Sequence, residues 1–297
     1  MGRSTVQVLQ GFGILTEHSD GTFTAERVRT AKDMWSFCPD ERFADQLIMD
    51  ANAFCSGFLI TSKWIGTAAH CALADEEDYL IVFGFELTSE SETRLEFSAD
   101  DVYKVDKIVA VGTPGGKLND YGILQLDRKV VGYKPYTKIN HQTSIGDPLT
   151  LIGYPTGLPK KTDKSGQVTV NAPLILRGTV DSYGGNSGSP VFDHNGLLVG
   201  ILVGGSDDFV DDGHWCKSSN ICPDRDSGEK PSEGSGCEEL GEYIVPICVL
   251  IESSEEVAAE INIDCQGEQP ETVFTYDYSN SSVLTASILM FLCLALV

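Results

Sequence analysis

Three side chains far apart in the sequence could together carry out nucleophilic catalysis: His70, Asp120 and Ser187. A serine hydroxyl is a weak nucleophile near neutral pH and needs a base within hydrogen-bond reach. An imidazole can take that proton and later give it to a leaving group. A carboxylate on the other ring nitrogen would fix the tautomer and stabilise the imidazolium. A His, an Asp and a Ser in this chain order are therefore the parts of a nucleophilic triad.

Ser187 lies in a Gly-rich segment that reads Asp181-Ser-Tyr-Gly-Gly-Asn-Ser-Gly-Ser-Pro190. Gly185 stands two residues before the serine and Gly188 directly after it, and glycine allows the positive φ of a sharp turn. Such a turn can aim the backbone N–H groups of Gly185 and Ser187 into one concavity, where they would bind an oxyanion. Taken alone, the segment also fits an ordinary turn between two strands.

Short apolar runs separated by turn residues predict many strands and few helices. The candidate strands are 53–60, 63–69, 79–85, 103–111, 121–126, 149–154, 167–170, 174–180, 197–203 and 243–250, with 5–15 as a further candidate. This succession predicts an antiparallel sandwich or a pair of barrels. Ser253 and Glu256 form a capping box, which predicts the only clear helix, over residues 253–261.

Three segments resemble the signatures of chymotrypsin-fold serine proteases: Thr67-Ala-Ala-His-Cys71, Asn119-Asp-Tyr-Gly-Ile-Leu124 and Gly185-Asn-Ser-Gly-Ser-Pro190. The last form, together with residues 54–60 and 152–159, is closest to the bacterial glutamyl-endopeptidase-like branch. The resemblance covers roughly residues 38–262. It implies an all-β fold of two antiparallel six-stranded barrels with a short C-terminal helix. It also implies a serine endopeptidase that acts on peptide or protein substrates without a metal or organic cofactor.

The resemblance assigns roles to the residues that match. His70, Asp120 and Ser187 would be catalytic, and the amides of Gly185 and Ser187 would form the oxyanion hole. Cys55 and Cys71 match the family's disulfide beside the catalytic histidine; two free buried thiols are the alternative.

Two departures concern activation and acidic substrates. Asn186 stands where trypsin-like zymogens use an Asp to bind a newly freed N-terminus, so that activation switch is expected to be absent. The strand expected to line the specificity pocket contributes Leu202, Val203 and Gly204. Glutamyl endopeptidases place a histidine where Leu202 stands, which argues against recognition of an acidic side chain.

A third departure suggests a preference for basic substrates. Asp181 lies six residues before Ser187, where trypsin-like enzymes keep an aspartate on the pocket floor. A carboxylate there would favour Lys or Arg substrates through charge pairing. The alternative is that Asp181 only caps the turn.

The nine cysteines indicate disulfides and an oxidising compartment. Five of them lie between Cys216 and Cys265, three of these within residues 206–242, which we interpret as an acidic, disulfide-linked surface insertion. A zinc site is an alternative, formed by His214, Cys216, Cys222 and Cys237. Their spacings do not form paired knuckles, and the surrounding acidity favours a cross-linked loop.

The net charge of −23 argues against nucleic acid or an anionic membrane surface as a partner. The sequence predicts an N-terminal extension (1–37), a protease domain (38–262), a polar linker (263–282) and an apolar tail (283–297). The tail fits a GPI signal after Ser279–Ser282, a C-terminal membrane helix, or neither. We expect a monomer, extracellular or at the cell surface. The rival hypothesis is a catalytically inactive protease-fold binding or adhesion protein, against which the complete triad counts.

Overall fold

The computed structural model describes residues 2–11, 13–50, 53–90, 92–211, 215–220, 241–261 and 265. The strands are β1 (Thr5–Gln10), β2 (Leu15–Glu17), β3 (Phe23–Ala25), β4 (Val28–Thr30), β5 (Leu47–Met49), β6 (Ala53–Leu59), β7 (Trp64–Thr67), β8 (Tyr79–Phe83), β9 (Glu96–Phe97), β10 (Val102–Val111), β11 (Gly122–Leu126), β12 (Pro148–Gly153), β13 (Lys161–Ala172), β14 (Ile175–Gly178), β15 (Pro190–Asp193), β16 (Leu198–Gly204), β17 (Phe209–Asp211), β18 (Lys217–Ser219) and β19 (Glu242–Pro246). The helices are α1 (Ala31–Trp35), α2 (Ile247–Glu252) and α3 (Glu255–Ile261).

Twelve of these strands close into two antiparallel barrels, which confirms the predicted fold class. The first barrel has the strand order β1-β6-β7-β11-β10-β8, and the second has β12-β13-β14-β19-β16-β15. Closure leaves neither sheet with an unpaired edge. Each barrel has its own apolar interior, with Ile81 and Leu124 in the first and Leu151 and Ile244 in the second.

A separate apolar cluster joins the two barrels. Phe58 and Trp64 of the first barrel pack in the same cluster as Phe192 and Val245 of the second, together with side chains of α2 and α3. Burying an aromatic or aliphatic side chain of this size contributes about 1.5–3 kcal/mol. This shared core fixes the two barrels against each other, so loops at their seam keep a defined relative position.

The first barrel begins earlier than the protease boundary expected at residue 38. β1 pairs with β6 through Thr5↔Phe58 to Gln10↔Ala53, and with β8 on its other side. Val6 and Val8 are buried in the barrel interior. The first residues of the expected extension are therefore an integral strand of the fold.

The α-helices differ from expectation in number and position. One helix was expected, over residues 253–261, whereas the described residues contain three α-helices. The strand expected over 243–250 ends at Pro246, which precedes α2. Proline has no N–H for the strand ladder, and its fixed φ suits the start of a helix. The predicted cap is also displaced by one residue: the Ser254 hydroxyl accepts from the Val257 N–H at 3.3 Å, whereas Ser253 donates to the Leu250 carbonyl.

Three disulfides cross-link the described chain. Cys55–Cys71 is present, as the resemblance implied, and two further bridges join Cys38 to Cys216 and Cys248 to Cys265. None of the helices in the described ranges has both the length and the apolar character needed to span a bilayer. The expected anchor over 283–297 and the linker from residue 266 onward lie outside the described residues.

Candidate active site

Two neighbouring strands of the first barrel bring His70 and Asp120 together. β7 and β11 are antiparallel, with Thr67 opposite Gly122. His70 follows the end of β7 in a single 3-10 turn, Ala69–Cys71, and Asp120 lies two residues before β11. Because the end of one strand lies beside the start of the other, these two side chains meet at the barrel rim.

The pair is held by several hydrogen bonds. His70 Nδ1 lies 2.7 Å from Asp120 Oδ2, and the backbone N–H of His70 donates to Asp120 Oδ1 at 2.9 Å. A third N–H, from Gly115, also donates to Oδ2 at 3.1 Å. Asp120 is 1% exposed, whereas the His70 side chain is 31% exposed. The carboxylate therefore engages Nδ1 and leaves Nε2 as the ring nitrogen available for proton exchange.

The turn that carries Ser187 lies against the same rim. Gly185 and Gly188 both have positive φ, at 94° and 85°. The Ser187 carbonyl accepts from the Ser56 N–H at 2.8 Å, and Cys71 Sγ lies 3.7 Å from the same oxygen. Ser187 thus has backbone contacts with the two segments joined by the Cys55–Cys71 disulfide, one of which contains His70.

The structure also defines which way two peptide groups of this turn face. The Gly184 carbonyl accepts from the Thr156 N–H at 2.5 Å, and the Asn186 carbonyl accepts from the Ser189 N–H at 2.8 Å. In a planar trans peptide the N–H points opposite to the C=O. The N–H groups that follow these carbonyls, those of Gly185 and Ser187, therefore point away from the bonds that hold the turn.

Gly188 has no room for a side chain, so Gly188→Ala is expected to lower the free energy of unfolding by roughly 3 kcal/mol. A Cβ there would lie 2.1 Å from the Ser56 carbonyl oxygen and 2.3 Å from Thr67 Oγ1. Gly146→Ala is the matched control, since φ is +92° there and nothing lies within 4 Å of the added Cβ. Chemical denaturation should show a loss of only about 1–2 kcal/mol for that control. Equal losses in both variants would contradict the predicted clash.

The three residues expected to line the specificity pocket differ in their burial. The Leu202 backbone is bonded to the two residues that follow Ser187: its carbonyl accepts from the Gly188 N–H at 2.7 Å, and its N–H donates to the Ser189 carbonyl at 2.9 Å. The Leu202 side chain, however, is buried in the second barrel's core. Val203 is also buried, whereas Gly204 is partly accessible at the end of β16.

The Asp181 carboxylate is already paired within the protein. Arg42 donates to both of its oxygens, at 2.6 and 2.8 Å. The same guanidinium donates to the Tyr183 hydroxyl at 2.6 Å and lies 4.8 Å from the centre of that ring. The hydrogen bond that Arg42 donates to Asp181 is the largest cause that raises the pKa of Arg42. Arg42 therefore holds residues 181–183, which lead to Gly185, in a fixed position.

Removing the ion pair between Arg42 and Asp181 is expected to slow the chemical step without preventing folding. Arg42→Ala should lower kcat by about 10-fold or more, because small displacements of catalytic groups are costly. Arg42→Lys should recover little, since an ammonium cannot reproduce the bidentate fork. Arg29→Ala, which breaks a comparable pair with Asp50, is the control. Steady-state kinetics would contradict the role if kcat were unchanged or fell equally in the control.

Two carboxylates near the Ser187 turn were missed by the sequence analysis: Glu242 and Asp208. The Ser182 hydroxyl donates to Glu242 Oε2 at 3.2 Å, and the Gly184 N–H donates to Asp208 Oδ2 at 2.5 Å. Burial raises the pKa of Glu242 to about 8 and that of Asp208 to about 6. No local motif marks either residue, because they reach the turn only through the fold of the second barrel.

A metal site receives no support from the residues in the described ranges. Cys55, His70 and Cys71 have potential ligand atoms within 4.8 Å of one another. Both sulfurs belong to one disulfide, so neither is a thiolate. In the zinc alternative, Cys216 cannot act as a thiolate ligand because its sulfur is bonded to that of Cys38. The other three residues of that alternative, His214, Cys222 and Cys237, lie outside the described residues.

Comparisons with known proteins relate the chain to serine proteases. Residues 55–201 match the sequence family of trypsin-like peptidase domains. A glutamyl endopeptidase of Bacillus licheniformis is 27% identical over 146 residues, which cover 48% of this chain and 46% of that protein. A glutamyl endopeptidase of Staphylococcus aureus (strain MRSA252) is 35% identical over 154 residues, or 50% of this chain and 40% of that protein. The matches thus span less than half the length of these curated relatives.

A solved structure supports the fold over a longer stretch. The serine endoprotease from Yersinia pestis superposes with a TM-score of 0.50 at 14% sequence identity. The superposition covers 87% of this chain and 64% of that one. At this identity the likeness concerns the arrangement of the barrels.

Proposed function

Because the chain belongs to the chymotrypsin-fold serine proteases, we propose that it is an endopeptidase that cleaves peptide bonds through Ser187, His70 and Asp120. One observation carries the proposal: the buried Asp120 carboxylate holds His70 Nδ1 at 2.7 Å, beside the turn that presents Ser187. A buried carboxylate bonded to an imidazole is the arrangement that lets the ring act as a base and then as an acid.

Acylation follows from these positions. Ser187 Oγ attacks the carbonyl carbon of the scissile bond as its proton passes to His70 Nε2. The tetrahedral intermediate collapses, the C–N bond breaks, and the imidazolium gives its proton to the leaving amine. Asp120 stabilises the imidazolium while it exists. A water molecule, deprotonated by the same ring, then hydrolyses the acyl-enzyme and frees Ser187.

The Gly185 and Ser187 amides serve as the oxyanion hole in this proposal. Support comes from the orientation of their peptide planes, whose carbonyls are bonded to Thr156 and Ser189. Because these N–H groups are oriented before substrate arrives, they stabilise the developing negative charge with little reorganisation.

The disulfides support a location outside the cytoplasm. Three bridges are formed among the described residues, and such bonds persist in oxidising compartments. We place the enzyme in the extracellular space or at the cell surface, as a monomer, with the apolar tail as its means of attachment if it is retained there.

Labelling with a fluorophosphonate probe tests the proposal, since the probe forms a bond only with an activated serine. We expect one adduct on the full chain, mapped by mass spectrometry to Ser187, and cleavage of a peptide library by the unlabelled protein. Absence of any adduct would instead favour the catalytically inactive binding protein, whereas an adduct on another residue would contradict the assignment of Ser187 as the nucleophile.

A further inference from the structure

The Glu242 carboxylate lies directly against an exposed glycine. A Cβ built on Gly205 would be 1.9 Å from Glu242 Oε2 and 2.0 Å from Oε1. Gly205 itself is exposed, and Glu242 is largely buried but retains some exposure. The absence of a side chain at Gly205 therefore leaves the carboxylate accessible from the surface.

This carboxylate lies between two segments that flank the proposed nucleophile. On one side, the Ser182 hydroxyl donates to it at 3.2 Å, five residues before Ser187. On the other side, β16 is bonded to Gly188 and Ser189 through Leu202 and ends at Gly204, next to Gly205. A substrate side chain bound between these two segments would therefore meet Glu242.

The charged groups around Glu242 do not neutralise its carboxylate and therefore favour the binding of a cation. Asp208, bonded to the Gly184 N–H, contributes a second negative charge that raises the pKa of Glu242 further. The basic group that acts on Glu242 is Arg177, whose guanidinium donates to the Gly241 carbonyl at 2.7 Å and lies over the Tyr243 ring. Burial, the largest cause, and Asp208 outweigh Arg177, because the pKa of Glu242 is raised to about 8.

The other nearby basic groups are engaged elsewhere. Lys117 donates to the Tyr243 hydroxyl at 2.6 Å, and Arg42 is bound to Asp181 and Tyr183. The Asp181 carboxylate, which the sequence suggested for the pocket floor, is thereby compensated. Glu242, in contrast, has no such direct basic partner among the ion pairs of the described residues, and it lies against the exposed Gly205.

We propose that Glu242 determines the substrate specificity of the protein and selects substrates with a Lys or Arg side chain before the cleaved bond. This inference rests on the proposed endopeptidase function. A guanidinium can donate two parallel hydrogen bonds to one carboxylate, and such bonds are among the stronger polar contacts in proteins. The hydrogen bond from the Ser182 hydroxyl restricts the position of the carboxylate.

A binding measurement tests Glu242 without requiring turnover. The probe is benzamidine, whose flat amidinium presents the same pair of N–H donors as an arginine. Calorimetry on the full-length Ser187→Ala protein should show binding, and adding Glu242→Gln should weaken it by roughly 10- to 100-fold. Glutamine keeps the shape of the side chain, so the fold should be retained. Glu77→Gln, which changes an exposed carboxylate on the first barrel, should leave the affinity unchanged.

The affinity should also depend on pH with a defined sign. Binding requires the Glu242 anion, and burial raises the pKa of this carboxyl to about 8 in the free protein. Benzamidine should therefore bind more tightly as pH rises from 6 to 9, and the Glu242→Gln protein should lose this rise. Affinity that is independent of pH, or equal in both proteins, would overturn the assignment.

Peptide kinetics then separate the two proposals. In the protein with an intact Ser187, kcat/KM should favour Arg over its uncharged isostere citrulline, mainly through KM, and Glu242→Gln should abolish the difference. If the fluorophosphonate probe labels Ser187 but the Arg and citrulline peptides are cleaved at equal rates, the role of Glu242 is overturned while the endopeptidase proposal stands. Benzamidine binding that depends on Glu242, without labelling or cleavage, would overturn only the endopeptidase proposal.

Discussion

Replacing Ser187 by alanine is expected to lower kcat on a peptide substrate by about 10⁶-fold. The substitution removes the only atom that forms the covalent acyl-enzyme, so His70 loses the group from which it takes a proton. The partly exposed side chain makes little contribution to the core, and the thermal midpoint should stay close to that of the original protein. Continuous cleavage assays at saturating peptide, together with calorimetry of both proteins, measure the two quantities.

Ser165→Ala provides the control for this variant. That hydroxyl bonds to Asp163 on β13 and does not take part in the proposed chemistry. Activity should be unchanged there. A Ser187→Ala protein that folds and retains more than about one thousandth of the original kcat would disprove the nucleophile assignment, because residual catalysis without the nucleophile is far smaller.

Replacing Asp120 by asparagine should lower kcat by about 10⁴-fold. Asp120 accepts from three N–H groups, which belong to His70 Nδ1, the His70 backbone and Gly115. An asparagine has one acceptor oxygen, and its NH₂ group faces at least one of these donors. The imidazole is then favoured with its proton on Nε2, where it cannot accept the proton of Ser187.

Stability must be measured alongside activity for Asp120→Asn. The substitution leaves a buried polar contact unsatisfied, which costs about 1–3 kcal/mol. Rates are therefore compared per folded molecule, with Asp147→Asn as a control for an aspartate that caps a turn on the second barrel. A loss of kcat below about 10-fold, on folded protein, would contradict the role of Asp120 because triad variants of this kind lose far more.

The resemblance carried by the sequence predicted the fold class and the Cys55–Cys71 disulfide, and both are confirmed. His70 and Asp120 were identified because their signatures are local: each combines a reactive residue with the start or end of a strand. Strand register then brought the two together through the pairing of Thr67 with Gly122. Such features can be found in a sequence because neighbouring residues define them.

Contacts between distant residues required the tertiary structure. Arg42 and Asp181 are 139 residues apart, and Ser182 and Glu242 are 60 apart. The sequence suggested a pocket-floor role for Asp181 and could not show that Arg42 pairs with it. Only the fold shows that Arg42 pairs with Asp181 and that the Glu242 carboxylate lies against Gly205, because tertiary packing brings these distant segments together.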